Sequence, residues 1–436
     1  MAGGTWEKQN KIRPGAYINF KSKKNISTQI GERGIATLPL VLPWGPEKEV
    51  ITIQADDDLS KVLGINITDD SVLLIREVFK KAKTLLLYRL NEGTKATATL
   101  EGLTINARYS GTKGNNITIV IQNNVDNEDM FEVITIFEGN KVDRQLVKKI
   151  GELKPNDYVE FKGTGELKAS AGVPLKGGTD GTVTNKDYID YLAAIELYDF
   201  NTMGITSKDE SVKAIVTTFI KRQREREGKK VQAVLENYPE ADHEGILSVK
   251  NGVVLSNGVI SADETVAFVA GATAGANVNK SNTYLEYPGA IDVDKRYTNR
   301  EVEDALKNGE IVFTISNGKV VIEQDINTFK SFSKDKGKEF SKNRVIRTLD
   351  SINNDIKLLW ERSYIGDGDN NTDGRNLFKK DIIKYLETLQ GMNAVENVTP
   401  EDVQIEQGQD KDSVIARVGV QPIDSMEKLY MDVEVE

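Results

Sequence analysis

Hydrophobic positions along the chain switch between two periods, and the switches mark its parts. Gly15 to Phe20 alternates, putting Ala16, Ile18 and Phe20 on one side of a short predicted strand that ends a polar arm, residues 1–24. No core supports this strand locally. Gly34 to Val41 and Thr84 to Leu90 are nearly continuous apolar runs, the pattern of buried strands, and between them Asp70 is placed to cap a helix carrying Val72, Leu73, Arg76 and Phe79. From Thr94 to about Gly172 the short runs Ala96 to Leu100, Leu103 to Tyr109, Ile117 to Ile121 and Phe131 to Phe137 alternate with Gly, Asn and Asp turns, which predicts an antiparallel β-sandwich.

Helical spacing returns after Gly181. The pattern predicts a helix around Tyr188 to Leu197, a strand near Phe200 to Ile205, a helix from Ser211 with Val212, Ile215, Phe219 and Ile220 on one face, and a strand at Val231 to Leu235. Asn317-Gly318, between Ile311 to Ile315 and Val320 to Ile322, predicts a two-residue hairpin turn. Val345, Ile346, Leu349, Ile352, Ile356, Leu359 and Trp360 then mark a long amphipathic helix; a polar loop, Gly366 to Gly374, precedes a second helix carrying Leu377, Ile382, Tyr385, Leu386 and Leu389. Val414 to Val420 and Leu429 to Glu436 read as closing strands, the latter with Leu429, Met431, Val433 and Val435 on one side and Tyr430, Asp432, Glu434 and Glu436 on the other.

These elements predict an α+β multidomain protein. Its expected parts are an N-terminal arm (1–24), a discontinuous α/β core domain (25–93 and 178–335), an inserted antiparallel β-sandwich (94–177), a helical or α+β C-terminal domain (336–412), and C-terminal strands and arm (413–436). Insertion is the simplest account because Gly34 to Leu90 supplies too few elements to close a core alone. The sandwich is accordingly expected to be dispensable for folding of the core.

Composition narrows the chemistry. The chain of 436 residues has no cysteine, which excludes thiol nucleophiles, disulfides and thiolate metal sites, and its one histidine, His243, is the one candidate for a serine-type triad. A net charge of −10 disfavours nucleic acid and anionic lipid as partners. There is no apolar run long enough to span a bilayer, and Met1 to Asn10 is polar where a signal peptide is apolar, so a soluble protein made in the cytosol, without direct membrane insertion, is expected.

Each constellation tested for chemistry has a plainer reading. Gly177 to Gly181 (GGTDG) lacks the Lys-Ser/Thr of a phosphate loop and reads as a turn joining domains. Asp369 to Gly374 matches the first half of a calcium loop, but Lys380 stands where the closing carboxylate belongs, which favours a solvated loop before a helix. Lys221 to Lys230 holds six cations against two glutamates and reads as the exposed end of a helix. His243 lies in an acidic turn, and there is no G-x-S-x-G elbow. No catalytic, metal or cofactor set emerges. The ends are more informative: residues 1–24 carry six cations against Glu7, a balance of +5, and residues 401–436 carry ten acids against three cations, a balance of −7. Opposite charge and a strand at each end fit pairing by strand addition, either within one subunit or between neighbours.

Four stretches, in this order, point to a family: Arg13-Pro14-Gly15-Ala16-Tyr17-Ile18-Asn19-Phe20; Arg33-Gly34-Ile35-Ala36 leading to Trp44-Gly45-Pro46; Leu175-Lys176-Gly177-Gly178-Thr179-Asp180-Gly181; and Val420-Gln421-Pro422-Ile423-Asp424-Ser425-Met426-Glu427-Lys428-Leu429-Tyr430. Together they resemble the tail sheath proteins of contractile phage tails and R-type, phage-tail-like bacteriocins, particularly the PBSX-like branch. The resemblance implies a structural subunit without cofactor or catalysis. Such subunits stack as hexameric rings in a helical polymer around a tail tube, meet baseplate and tail terminator proteins, are linked through their terminal arms, and contract to drive the tube through a target envelope. It implies a virion or phage-tail-like particle assembled in the host cytoplasm. It also places a C-terminal-domain helix against the tube, a role that would fall to Arg375, Lys379, Lys380 and Lys384, and a linking role to Ala16, Ile18, Phe20, Leu429, Met431, Val433 and Val435. The rival classes are an α/β enzyme acting on envelope polysaccharide with a sandwich accessory module, and a monomeric receptor-binding module.

Overall fold

The computed structural model describes residues 2–4, 15–17, 31–127 and 129–435. Two compact units are present: one comprises residues 31–354, 389–397 and 420–436, the other 1–30, 355–388 and 398–419.

A seven-stranded sheet organises the first unit, in the order Glu310–Ile311, Ile246–Val249, Gln232–Glu236, Thr202–Gly204, Ile35–Leu40, Thr84–Arg89 and Val50–Gln54. All neighbours run parallel except the last pair. Parallel strands must hide both faces, and helices cover both. Tyr191 and Leu192 of helix Asn185–Ile195, with Val212, Val216 and Ile220 of helix Glu210–Glu225, pack with Ala233 and Leu235. Val234, one position out of phase, faces the opposite side with Val266 and Phe268 of helix Ala262–Gly275. That last helix is absent from the predicted elements, and the reason is physical. Thr265 to Ala274 are all buried, so no polar face exists to reveal a helical period, and the Ser261/Glu264 capping box is its one local signal. The hairpin at Asn317-Gly318 forms as predicted, with both residues at positive φ (50° and 76°), the geometry of a type I′ turn. One cap shifts: the carboxylate that accepts the Ser71 N–H at the start of 3₁₀ turn Asp70–Val72 belongs to Asp69, with helix Leu73–Phe79 following.

The chain leaves the main sheet after Arg89 and returns to it at helix Asn185–Ile195. Between them lies an antiparallel β-sandwich. One sheet has the order Asn140–Val147, Phe131–Phe137, Ile117–Asn123, Ser170–Pro174; the other has Val159–Gly163, Leu103–Ser110, Lys95–Leu100. Its entry and exit strands run side by side. The Thr179 N–H donates to the Thr94 carbonyl (3.1 Å), and the Thr94 N–H donates to Thr179 Oγ1 (3.1 Å). Glycine is needed at this neck, because a Cβ on Gly93 would lie 1.8 Å from the Thr179 carbonyl oxygen and one on Gly181 2.1 Å from that of Glu92. Gly177 to Gly181 is therefore a linker.

The core of the sandwich is continuous with that of the main body, which argues against the expectation that it is dispensable. Leu42, Trp44 and Leu63 share one continuous buried cluster with Ile105, Ile119 and Val159 of the sandwich. Trp44 stands edge-on to Tyr109 (ring centroids 5.5 Å) and lies 5.9 Å from Phe137. The fully buried Arg89 donates to the Gly45 carbonyl (2.7 Å) and to Ser110 Oγ of the sandwich (3.2 Å). A flat apolar patch on each part is covered by the other, and separate patterning of the two stretches cannot disclose that.

An ion-pair bridge runs across the same junction. Lys113 Nζ lies 2.6 Å from Asp69 and 2.5 Å from Glu138. Burial alone would raise the Asp69 carboxyl, but its bonds to Lys113 and Ser71 outweigh this and hold it down at about 2. A depressed carboxylate stabilises the fold above its unfolded pKa, and the contribution is lost as the pH falls from about 4 towards 2. Asp69→Asn keeps the cap while removing the charge. It should cost about 1 kcal/mol at neutral pH, allowing for solvent screening, and should melt like the parent at pH 2. Calorimetry across that pH range checks it.

The second unit contains the later part of helix Asn343–Ser363, most of helix Thr372–Gly391 and an antiparallel hairpin, Val403–Gln407 with Val414–Val418. Trp360, Tyr364 and Phe378 form a ring cluster with centroids 4.7 to 5.6 Å apart, and the Tyr385 hydroxyl donates to Asp355 at 2.7 Å. On this helix Phe378 is buried and Leu377 exposed. The stretch Val403–Gln407, unmarked in the predicted elements, is the partner of Val414–Val418.

Candidate assembly interface

Gln421-Pro422 pairs with Val395-Glu396, and the Ile423 N–H donates to the Ala394 carbonyl (3.0 Å). Four residues on, the Glu427 carboxylate accepts hydrogen bonds from Lys342 Nζ, Gln324 Nε2 (2.6 Å) and Thr283 Oγ1 (2.9 Å). Beyond it the arm is uncovered: Leu429 is 83% exposed, Met431 70%, Val433 71% and Val435 92%. The predicted closing strand is not formed here, for residues 429–435 belong to no strand in the chain. Alternation specifies a strand only when a partner edge is present, and among the described residues none pairs with it. The acidic and tyrosyl side of the arm is exposed too, so no face of it is buried.

At the other end, Gly15–Tyr17 pairs in parallel with Ala2–Gly4, Ala16 opposite Gly3. Ile18 and Phe20 lie outside the described residues.

Among the described residues the hairpin of the second unit pairs with no third strand. It is two-stranded, and its register places Val403 opposite Val418, Ile405 opposite Ala416 and Gln407 opposite Val414 on one face. That face is apolar at five of these six positions, a period-two stripe matching the arm's.

Helix Thr372–Gly391 divides the predicted tube-facing cations. Arg375 turns back and donates to the Asn370 carbonyl (3.1 Å) and Asn370 Oδ1 (2.9 Å), so it serves the preceding loop. Lys380 and Lys384 are exposed one turn apart, below the exposed Leu377, and Lys379 is half-buried on the Arg375 side. None of the three lysines forms an ion pair among the described residues. In the loop itself Asn370 donates to the carbonyls of Lys411 and Ser413 (2.8 Å each), and Asn371 accepts the Gly374 N–H (2.8 Å); these side chains shape the helix start.

The remaining candidates are structural. His243 is buried, which lowers its pKa; its Nδ1 accepts the Gly245 N–H (3.0 Å), and its Nε2 lies 3.3 Å from Glu225. The basic run Lys221 to Lys230 is not the exposed helix end expected. Arg224 is buried and pairs bidentately with Asp350 at 2.7 and 2.8 Å, and Arg222 pairs with Glu196 (2.6 Å). Among the described residues no helix is long and apolar enough to cross a membrane.

A folded body bearing an uncovered apolar arm is the outline of an assembly subunit, and comparison with known proteins gives the family. Four phage tail sheath models match consecutively: the domain III N-terminal region at 33–90, the β-sandwich domain at 91–180, the central domain at 181–328 and the C-terminal domain at 335–436. The chain belongs to the phage tail sheath protein family. It is similar, at 51% identity and a TM-score of 0.88, to the sheath tail protein of Desulfitobacterium hafniense, whose structure covers 96% of this chain and is itself 99% covered. It is 40% identical over all of both chains to the phage-like element PBSX protein XkdK of Bacillus subtilis. The contracted helical sheath of the anti-feeding prophage shares the fold alone: 14% identity, TM-score 0.59, covering 97% of this chain and 99% of that one.

Proposed function

We propose that this sheath protein polymerises as stacked hexameric rings around a tail tube, and that contraction of the polymer drives the tube through the target envelope. The observation that carries this reading is the arm at 429–435, apolar at every second position and without a partner strand among the described residues. We assign its acceptor to an edge of the Val403–Gln407/Val414–Val418 hairpin of a neighbouring subunit, where the arm's apolar face continues the hairpin's. The N-terminal strand around Ala16 is the second link, its +5 balance complementing the −7 of the C-terminal stretch. Work is stored in the assembled lattice, without cofactor or catalysis, and the baseplate and tail terminator are the partners at the two ends. Electron microscopy of the purified protein tests the reading. Tubes or stacked rings support it, and a monodisperse monomer at high concentration refutes it.

Within this reading Lys380 and Lys384, with Lys379 beside them, face the tube and meet acidic groups on it. Arg375 leaves the set because it holds its own loop. Reversing Lys379, Lys380 and Lys384 to glutamate should leave the melt unchanged and weaken co-assembly with tube on the order of tenfold at modest salt. Co-sedimentation at two salt concentrations reads this out. Tube binding equal to the parent's would refute the assignment.

A further inference from the structure

The C-terminal arm is set free at a single side chain. Ile423 makes the last backbone hydrogen bond to the body, and the last firm hold beyond it is the Glu427 carboxylate, 10% exposed, in a cage of donors. These are Lys342 Nζ, Gln324 Nε2 at 2.6 Å, Thr283 Oγ1 at 2.9 Å and the neighbouring Ser425 Oγ at 3.2 Å; Asp424 stands 3.9 Å from the same lysine. The cage is rooted in the core. Thr283 Oγ1 accepts the Asp325 N–H (3.0 Å), and the buried Asp325 carboxylate accepts from Asn343 Nδ2 (2.9 Å) and from the buried Arg347 (3.3 Å). Such a cluster is far more than an exposed arm needs in order to leave the body.

The arm itself does not specify where it pairs. Leu429, Met431, Val433 and Val435 recur every second residue, so a slip of two residues along a partner strand shows that partner the same apolar face. A slip of one is penalised; a slip of two is not. We propose that the Glu427 clamp sets the register in which the arm pairs with the neighbouring subunit. It holds the chain four residues beyond Ile423 and so removes about 13 Å of slack, at ~3.3 Å per extended residue. That slack would admit slips of two and of four. The inference rests on the strand-linking reading above and adds to it a mechanism for choosing one pairing among several equivalent ones.

The absence of cysteine makes the test clean. Val433→Cys is combined, one at a time, with cysteine at each position of 403–407 and 414–418, and assembled tubes are oxidised with glutathione disulfide. With Glu427 present, a single hairpin position should dominate the intermolecular crosslinks. With Glu427→Ala, crosslinks should spread to positions two residues away and the dominant yield should fall at least twofold. Glu427→Gln, which keeps the size and loses the charge, gives the same reading if the alanine variant melts below the parent. One unchanged dominant position in both variants overturns the clamp's role while leaving strand linking intact. Tubes that crosslink at no hairpin position in any background overturn the linking reading, and this inference with it.

Discussion

A chain ending at Glu427 should fold as the full chain does and form no tubes. The exposures of Leu429, Met431, Val433 and Val435 mean that removing the arm uncovers almost nothing, so circular dichroism and melting should match the parent. Assembly should be lost because, on the proposed strand linking, the arm's backbone N–H and C=O groups and its apolar stripe make the link. Removing residues 1–22 should have a similar effect through the other link. Removing both ends should cost little beyond either, since one broken link already opens the same mesh and the effects cannot add. Truncated chains that polymerise normally would refute strand linking, and truncated chains that unfold would show that the arms close sheets within their own subunit.

Trp44→Ala should be among the most damaging single changes in the chain. The ring is buried at the junction of main sheet and sandwich, against Tyr109 and Phe137, with the aliphatic cluster of Leu42 and Leu63 around it. Losing it removes a large apolar surface and leaves a cavity that two rigid β-layers cannot collapse into, for a cost of about 3–5 kcal/mol. The melting temperature should fall on the order of 10 °C. The same geometry predicts that replacing residues 94–177 with a short linker gives an aggregating protein, because Trp44 and the buried Arg89 would face water with their partners gone. A soluble deletion variant with a cooperative melt, or a Trp44→Ala variant within 1 kcal/mol of the parent by the same ~3–5 kcal/mol yardstick, would show that the junction is only a surface contact.

What could be read from the sequence was what local patterning controls. The strands at Ile35–Leu40 and Thr84–Arg89, the sandwich runs and the Asn317-Gly318 turn carry their own signals, because buried strands and positive-φ turns restrict residue type position by position. Helix Ala262–Gly275 was hidden by being buried all round, and the Asp69 cap by the aspartate next to it. Arg224 looked like one of six surface cations because its partner, Asp350, lies 126 residues away in sequence. The arm shows the limit from the other direction. Its alternation was legible, but the strand it describes needs a partner edge, and none pairs with it among the described residues.

The neck of the sandwich has a mechanical corollary. Its two linkers lie side by side, bonded to each other through Thr94 and Thr179 and again between Thr97 and Lys176. A force applied to the sandwich from outside therefore pulls both linkers in the same direction. Through the covalent chain it reaches the body at two adjacent points, the end of strand Thr84–Arg89 and the approach to helix Asn185–Ile195. Loaded together, the linkers are not peeled apart, and the hydrogen bonds between them bear little of the tension. The load passes to the next-to-edge strand of the seven-stranded sheet, bonded to a neighbour on both sides.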